Sequence, residues 1–453
     1  MKIRWYRSAT VGIFSDDEST SILCDPWITD GAFIGSWYHW PPLSGDKEFE
    51  SLLGNKWSAI YISHLHADHF DRKWISKYVR QNPETLILIP KHTHEWLSRA
   101  ILSLGVPQES IVELDEQSNF YLGKVKIEIL PADICNPEVC GLSTPCFSGL
   151  NWKRSIDSVA VFKGDGQTIV NSNDAMATES VPAVMRFIED CDLFMASYGG
   201  AGPYPQCFPS VQDKDSESEK LAKKFVEVVA QASKLIGAKA VFPFAGQYLL
   251  GGSLAPLNAT RSVLELGETV KYLNRLGISN VITLAPFATY SVTTGEVSES
   301  YEEPSSVIKA EYLERISKDL FPYQKQDDSW PTYEEDVKKA FCKLEKRYSE
   351  MVSENQTSKY QSGASFLLQG SKFKIELNYS EFEVTINTGK TFNNLTTISA
   401  DDRLIRNLIR RPENYAGFTP MHWNQAEIGS HFQWERQGEY FADLHYLFNF
   451  FQT

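Results

Sequence analysis

Short apolar runs alternate with amphipathic stretches through the first two thirds of the chain, and this pattern predicts strands that alternate with helices. Turn residues such as Gly164-Asp165-Gly166 separate neighbouring apolar stretches and indicate hairpins. The predicted strands cover residues 2–14, 20–25, 57–63, 85–90, 110–114, 122–130, 157–163, 167–171, 192–198, 240–248 and 281–286. The predicted helices cover residues 72–80, 93–104 and 216–236. This order is typical of an α/β fold.

The last third of the chain follows a different pattern. Its composition shifts to Ser, Glu, Pro and Tyr across residues 292–306. Beyond that shift, helices are predicted over residues 332–351 and 400–409, and half-buried antiparallel strands over 365–369, 373–377 and 382–386. A chain of 453 residues is too long for one ordinary domain. We predict a first domain over residues 1–300, a helical connector over 301–360 and a smaller C-terminal α+β domain over 361–453.

A cluster of polar side chains directly follows the apolar run that ends at residue 63. His64 and His66 alternate with other residues, so an extended backbone points both imidazoles to the same side. Asp68 and His69 follow where the chain turns toward the predicted helix. Imidazole and carboxylate groups together suit zinc, iron or manganese. A solvated, histidine-rich loop is the alternative, but four liganding groups within six positions favour a metal site.

Asp174 ends the second strand of the predicted hairpin, in the sequence Asn171-Ser172-Asn173-Asp174. A carboxylate delivered by a separate strand can bridge two metal ions or complete the coordination of one. The alternative is a turn or helix N-cap, which is a common role for aspartate in such a sequence. The preceding histidine cluster favours Asp174 as a metal ligand.

Charge and composition exclude several classes of function. The formal net charge is −14, which argues against nucleic acid or an anionic membrane as a main partner. An anionic small substrate stays possible, because a local pocket can be basic in an acidic protein. No signal peptide and no run of eighteen apolar residues is present, so a cytoplasmic location is expected. Seven scattered cysteines do not indicate a disulfide framework.

The stretch His64–His69 resembles the HxHxDH signature of the metallo-β-lactamase superfamily. This resemblance implies an αββα sandwich and a metalloenzyme, with Asp174 as the carboxylate ligand from the second strand. The flanking motifs Asp25-Pro26-Trp27, Gly199-Gly200-Ala201 and Pro243-Phe244-Ala245-Gly246 resemble those of CMP-N-acetylneuraminate hydroxylases in the same order. Those hydroxylases carry a Rieske iron–sulfur domain. No such segment is found in this chain, so a separate electron-transfer protein is a possible partner.

Two histidines of the superfamily pattern are missing. No histidine lies between His94 and His422, and the position of the third ligand falls on Asn136. His64, His66, Asp68, His69 and Asp174 could hold one metal ion well, whereas two ions would need other donors. The candidate replacements are Asp133, Cys135, Cys140, Cys146 and His39, while His92 and His94 are expected at an exposed helix start.

Two further segments combine aromatic and polar groups. The loop over residues 24–42 contains Trp37 and His39, which are predicted substrate contacts unless the loop only covers an aromatic cluster. The stretch from Met421 to His431 is predicted to reach back to the metal cleft. Trp423 and Asn424 are further predicted substrate contacts, and Glu427 and His431 join Asp68 as candidate catalytic groups. A capped turn that packs on the first domain is the alternative for this stretch.

Three functions are compatible with these features. The family resemblance favours an iron-dependent hydroxylase that acts on an amino sugar, a nucleotide sugar or a similar polar metabolite. The commoner activity of the superfamily would make the chain a zinc-dependent hydrolase. The missing histidines suggest a non-catalytic relative with a reduced metal site. The expected cofactor is iron or zinc, with one or two ions, and the oligomeric state stays open.

Overall fold

A computed structural model defines the positions of most of the chain. It describes residues 1–42, 46–92, 95–131, 157–175, 177–353, 364–378, 383–386, 394–410, 422–438, 451 and 453. Of the helices in these ranges, none has both the length and the apolar character that crossing a bilayer requires.

Twenty strands are present in the described part of the chain. They are β1 (Lys2–Arg7), β2 (Thr10–Phe14), β3 (Ser21–Cys24), β4 (Trp37–His39), β5 (Ala59–Tyr61), β6 (Leu86–Pro90), β7 (Ile111–Leu114), β8 (Phe120–Leu122), β9 (Val125–Pro131), β10 (Ser158–Gly164), β11 (Gln167–Asn171), β12 (Leu193–Ser197), β13 (Val241–Phe244), β14 (Tyr248–Leu250), β15 (Thr289–Ser291), β16 (Ala364–Gln369), β17 (Lys374–Asn378), β18 (Glu383–Ile386), β19 (Asn394–Ser399) and β20 (Gln433–Gln437).

Helices of very different lengths connect these strands. They are α1 (Ala32–Gly35), α2 (Asp46–Gly54), α3 (Arg72–Gln81), α4 (Trp96–Leu102), α5 (Ala177–Val184), α6 (Lys214–Ile236), α7 (Leu266–Arg275), α8 (Ser306–Ile316), α9 (Tyr333–Ser353), α10 (Asp402–Ile409) and α11 (Trp423–Ile428). Short 3-10 turns occupy Gln108–Ser110, Gly252–Thr260 and Pro322–Lys325.

Two sheets stack face to face in the first part of the chain. The first has the order β15-β1-β2-β3-β5-β6-β7, and β3, β5, β6 and β7 run parallel. The second has the order β13-β12-β11-β10-β9-β8. Apolar side chains from both sheets, such as Val11, Tyr61, Ile127 and Leu193, form a shared buried core. Burial of these side chains between the sheets is the main force that holds the two together.

Helices cover the outer face of each sheet. On the first sheet, Trp74 and Tyr78 of α3 pack with Ile60 and Ile87. On the second sheet, the apolar face of α6, which includes Val226, packs with strand residues of β10 to β13. The layers therefore follow the order helix, sheet, sheet, helix. The predicted αββα sandwich of the metallo-β-lactamase type is confirmed.

A third sheet of order β18-β17-β16-β19-β20 lies in the C-terminal part, where α9 and α10 pack against it. This confirms the predicted strand and helix pattern there. Its core includes Phe208 and Phe321, which precede the sheet by many residues, so this unit packs against the loops of the first part. The domain boundaries at residues 300 and 360 stay a prediction.

Three predicted strands differ from the structure. Residues 2–14 form two strands, because Ser8 adopts a positive φ of 42° and turns the chain between β1 and β2. Residues 240–248 divide at Ala245, which has a φ of 57°, so that β13 and β14 lie in different sheets. The predicted strand over 281–286 reduces to one bridge between Val281 and Val241.

Candidate metal centre

The histidine cluster lies between the end of β5 and the start of α3. The backbone N–H of Ser63 donates to Asp25 Oδ1 at 2.7 Å, which holds the strand end against the loop after β3. The N–H of Phe70 donates to the carbonyl of His66 at 2.9 Å and closes a turn. Asp71 then caps α3 by accepting from the N–H of Trp74 at 2.9 Å. Both ends of the loop are therefore fixed.

Each of the three histidines uses one ring nitrogen to set its orientation. His64 Nδ1 lies 2.9 Å from the hydroxyl of Ser63, His66 Nε2 lies 3.0 Å from Asn424 Oδ1, and His69 Nδ1 lies 3.1 Å from Asp25 Oδ2. The other nitrogen of each ring is left to face the cluster. Outer partners of this kind fix the tautomer and direction of metal-ligating histidines.

The first group of potential ligands comprises His64, His66 and Asp157, whose donor atoms all lie within 4.8 Å of one another. His64 Nε2 lies 2.9 Å from His66 Nδ1 and 3.6 Å from Asp157 Oδ1. Asp157 directly precedes β10, and the hydroxyl of Ser158 donates to the carbonyl of Ser63 at 2.9 Å. Sequence analysis did not identify Asp157 as a ligand. Its available signal was a carboxylate at the first position of the predicted hairpin.

The second group comprises His64, His69 and Asp174, also within 4.8 Å of one another. Asp174 Oδ2 lies 3.2 Å from His69 Nε2 and 4.0 Å from His64 Nε2. Asp68 Oδ2 approaches the same nitrogen of His69 at 3.6 Å. The structure therefore brings together all five of the predicted metal ligands, and His64 belongs to both groups.

The electrostatics of the cluster reflect crowded carboxylates. Burial, opposed by His69 and reinforced by Asp174, raises the pKa of Asp68 to about 7. Burial and the charge of Asp174 also raise the pKa of Asp157 to about 7. Burial alone would lower the pKa of His69, but Asp174, Asp68 and Asp25 outweigh it and raise that pKa well above its usual value.

The other two histidines are held neutral. Burial lowers the pKa of His66 to about 4, and it lowers the pKa of His64 well below its usual value. Neutral imidazole is the form that binds a metal ion. Two of the three rings are therefore already in the ligating state.

These residues fit a metal ion. Among the described residues, the buried Asp68 Oδ1 has no hydrogen-bond partner, and His69 Nε2 makes no well-directed hydrogen bond although Asp174 Oδ2 lies 3.2 Å away, which is costly unless another group binds these atoms. Within the described ranges, neither Asp68 nor Asp174 forms an ion pair with lysine or arginine. A divalent cation would satisfy the orphaned atoms and offset the crowded negative charge. Three imidazoles and three carboxylates suit iron, manganese or zinc.

Asp25 contacts the outer side of the histidine cluster and holds His69 in place. It is fully buried, it accepts from the N–H of Ser63, and it contacts the ring of His69. In the sequence, Asp25-Pro26-Trp27 contributed only to the family resemblance, and Asp25 was not predicted to be part of the site. A buried carboxylate that holds a ligating histidine is a recurring second layer of metal sites.

The C-terminal stretch reaches the cluster through one side chain. Helix α11 starts after His422, whose ring accepts from the N–H of Asn424 at 3.3 Å. The amide of Asn424 then contacts His66. The position near the cleft is therefore as expected, and the contact with substrate stays a prediction.

The other predicted contacts and catalytic groups of these segments lie in packed surroundings. Trp37 is 3% exposed and stacks on Tyr248. His39 is buried, with Nδ1 at 2.8 Å from Asp30 and Nε2 at 3.0 Å from the carbonyl of Trp27. Trp423 packs on Phe432 in the C-terminal core. These contacts give no support to a role for Trp37, His39 or Trp423 in binding substrate.

His431 is buried away from solvent and uses both ring nitrogens. Nδ1 lies 3.1 Å from the hydroxyl of Tyr323, and Nε2 lies 3.0 Å from the carbonyl of Phe33. Such contacts are structural and give no support to a catalytic role. Glu427 is half-buried on α11, near enough to Cys207 to raise the pKa of its thiol further, and its catalytic role stays a prediction.

Several candidate replacements for the missing histidines lie outside the described residues, namely Asp133, Cys135, Asn136, Cys140, Cys146 and His94. His92 was expected to be exposed. It is instead half-buried and close enough to His64 to lower the pKa of that ring.

Comparison with known proteins agrees with this arrangement. No family model matches the chain. A protein of Mycolicibacterium smegmatis named as a Rieske 2Fe-2S iron-sulfur protein is 25% identical over 236 residues, which cover 52% of this chain and 42% of that relative. The cytidine monophosphate-N-acetylneuraminic acid hydroxylase of Danio rerio is 24% identical over 286 residues, which cover 58% and 42% of the two chains. The expected resemblance is confirmed. The chain spans less than half the length of these relatives.

Solved structures with a similar arrangement include CmlA, a diiron β-hydroxylase from Streptomyces venezuelae, with a TM-score of 0.38, 14% identity and coverage of 62% of this chain and 52% of CmlA. The metallo-β-lactamase fold protein YhfI from Bacillus subtilis has a TM-score of 0.38 at 12% identity and covers 64% of this chain and 99% of its own. Overlaps of this size carry no argument about function. The prediction of a metalloenzyme agrees with the sequence relatives, which do not decide between an oxygenase and a hydrolase.

Proposed function

We propose that the chain is a metal-dependent enzyme of the hydroxylase type, with an iron centre, and that it acts on an amino sugar, a nucleotide sugar or a similar polar metabolite. The main support for this proposal is the set of potential metal ligands. Asp157 lies beside His64 and His66, so the centre has one carboxylate for each imidazole. A site rich in oxygen donors suits iron better than a site made of imidazole and thiolate. The sequence match to a sialate hydroxylase points the same way.

The residues of the chain have distinct tasks in this proposal. His64, His66 and Asp157 would hold one ion, and His69, Asp68 and Asp174 a second. Bound iron would supply the activation of O₂. Asp174 Oδ2 lies 4.0 Å from His64 Nε2 and 3.2 Å from His69 Nε2, so this carboxylate would be within reach of both sets of ligands. Asp68 Oδ1 has no partner among the described residues, so this oxygen would be available to accept a hydrogen bond from a bound molecule. Asp25 and Asn424 keep His69 and His66 in their orientations.

A hydroxylase of this kind needs electrons from outside the centre. Among the relatives, the Mycolicibacterium smegmatis protein is named for a Rieske cluster, and this chain spans 42% of its length. We therefore include in the proposal an iron–sulfur protein or domain as the source of electrons.

A zinc-dependent hydrolase is the second candidate. Asp68 favours it, because a buried carboxylate whose Oδ1 has no partner among the described residues could accept a proton from attacking water. In this alternative the same six side chains hold the ions, and no electron donor is needed.

Metal analysis of the full chain, purified without added metal, tests these proposals. We expect iron near two equivalents, whereas zinc near two equivalents would support the hydrolase. His66→Ala should lose most of the metal, because it removes a ligand without filling the space. Retention of full metal content by His66→Ala, or a wild-type chain that binds no metal, would overturn both candidates and favour a non-catalytic relative. Circular dichroism of the variant separates metal loss from unfolding.

A further inference from the structure

Arg261 places a positive charge near the metal centre without an anionic partner. Its guanidinium carbon lies 4.1 Å from the centre of the Tyr248 ring. Its Nε and Nη1 atoms are inaccessible to solvent and have no hydrogen-bond partner. Throughout the part of the chain that the structure describes, no carboxylate forms an ion pair with Arg261. The Nε and Nη1 groups of this partly buried guanidinium have lost water and gained no acceptor among the described residues, which is unfavourable.

The nearest acidic group does not relieve this charge. Glu265 is close enough to Arg261 for their charges to interact, but its carboxylate forms an ion pair with Lys309 and a hydrogen bond with Glu303. Tyr248 offers Arg261 its ring face, which attracts a cation, and a hydrogen bond to its side chain, but Nε and Nη1 have no acceptor among the described residues. The guanidinium therefore retains donors for a further anionic group.

Arg261 is connected to the metal centre by two short routes. The ring of Tyr248 stacks on Trp37 at 3.4 Å, and both pack in a cluster that includes Ala67 of the histidine motif. The charge of Asp68 acts on the Tyr248 hydroxyl. On the other side, Ser197 hydrogen-bonds Asp174 and is followed by the loop Gly199–Gly202. In that loop, the carbonyl of Gly200 accepts a hydrogen bond from the Tyr248 hydroxyl at 3.5 Å.

The loop Gly199–Gly202 offers further donors. No backbone N–H group of these residues donates to another described residue. The loop lies against α6, because a side chain at Gly200 would meet the ring of Phe225 at 2.2 Å. Glycine here therefore lets the backbone pack close while its N–H groups stay available. The loop and the guanidinium both contact Tyr248, and backbone N–H groups together with a guanidinium are common ligands of a carboxylate or a phosphate.

We propose that Arg261, together with the loop Gly199–Gly202, binds an anionic group of the substrate, a carboxylate or a phosphate ester, next to the metal centre. This assignment rests on the proposed function, because it identifies the class of substrate for the same site. The guanidinium positions the substrate and takes no part in the chemistry. An overall charge of −14 makes this a local basic feature in an acidic protein.

Binding of simple anions to the full chain tests the assignment. Inorganic phosphate and, in a second arm, acetate are titrated into wild type, Arg261→Met, Arg261→Lys and Arg275→Met, with calorimetry and thermal melting as readouts. Arg275 ends α7 and is exposed, so its variant is the matched control. We expect Arg261→Met to weaken the better-bound anion at least about tenfold, and Arg261→Lys to weaken it less. The control should match wild type. The anion whose binding depends on Arg261, phosphate or acetate, shows whether the site prefers a phosphate or a carboxylate group.

Each titration is repeated after the metal has been removed with a chelator. Loss of binding in Arg261→Met in both states supports the assignment, even if the chain proves to hold no iron. Equal binding by wild type and Arg261→Met, or no binding of either anion by wild type, overturns it without affecting the metal proposal. If Arg261→Met does not fold, Arg261→Lys decides, and unchanged affinity in that variant overturns the assignment.

Discussion

Two histidine-bearing stretches, residues 64–69 and residues 422–431, look alike in composition but are used differently. In the first, an outer partner holds one nitrogen of each ring, while the other nitrogen points into the cluster, where His64 Nε2 lies 2.9 Å from His66 Nδ1 and His69 Nε2 lies 3.2 Å from Asp174. In the second, His422 caps a helix and His431 is bonded at both nitrogens to Tyr323 and Phe33. The two stretches differ in whether the ring nitrogens are used up by hydrogen bonds to the surrounding protein or point toward other potential metal ligands.

This contrast shows how a metal centre differs from a polar core. A buried imidazole whose nitrogens are both bonded contributes to stability and has no capacity left for a ligand. The rings of residues 64–69 are also buried, yet their inward nitrogens converge with the carboxylates of Asp157 and Asp174, in groups whose donor atoms lie within 4.8 Å of one another. Asn424 joins the two stretches, since it belongs to the second and orients a ring of the first.

The largest effect is expected for His64→Ala. His64 Nε2 lies within reach of both ligand groups, so its removal should lower bound metal to about half of the wild-type content or below and abolish turnover. The free energy of unfolding of the metal-free protein should change little in comparison. Elemental analysis and chemical denaturation measure the two quantities. Normal metal content in His64→Ala would contradict the assignment of the first stretch.

Asp157→Asn should have the next largest effect. The amide keeps the shape but removes the charge, so one of the two ions should be lost and metal content should fall to about half. Asp190→Asn is the control, because that carboxylate is 74% exposed. Metal titration followed by elemental analysis distinguishes one ion from two. An unchanged stoichiometry would show that another residue replaces the missing histidine.

His431→Ala should affect stability and leave the metal in place. Removing the ring takes the hydrogen-bond partner from the hydroxyl of Tyr323 and one of several donors from the carbonyl of Phe33, and it opens a cavity, at a cost of about 2–4 kcal/mol. Urea denaturation measures this loss, and elemental analysis checks that metal content is that of wild type. Loss of metal in a variant that stays folded would break the contrast between the two stretches.

Asn424→Ala should have the smallest effect. Without the amide oxygen, the ring of His66 loses the acceptor that holds its orientation, and metal affinity should fall about tenfold. Competition with a metal-binding dye measures the affinity. Asn424→Asp, which keeps an acceptor at the same place, should retain wild-type affinity or exceed it. An equal loss in both variants would mean that Asn424 does not act through His66.

Much of this site could be predicted because its signals are local. His64, His66, Asp68 and His69 lie within one turn after a strand, and the apolar run before them already indicates where that strand ends. Asp174 was identifiable because a clear hairpin ends next to it. The αββα layers likewise followed from the order of strands and helices.

The remaining groups depend on contacts between distant parts of the chain. Asp157 and Asp25 carry no local pattern that separates them from other aspartates at strand ends. The face-to-face stacking of the two sheets places Asp157 next to His64, and the turn after β3 places Asp25 next to His69. The breaks at Ser8 and Ala245 were missed for a related reason, since a positive φ is set by packing and leaves no mark on the apolar pattern.

The sequence by itself determined the fold class and five candidate ligands, because strand ends and a short motif fix which side chains can point together. Tertiary structure decided the rest. It placed Asp157 in the first ligand group, used His39 and His431 for internal hydrogen bonds, and left Arg261 without an anion. The physical reason is that a polar group's function depends on which of its atoms other residues satisfy, and those partners come from segments far apart along the chain.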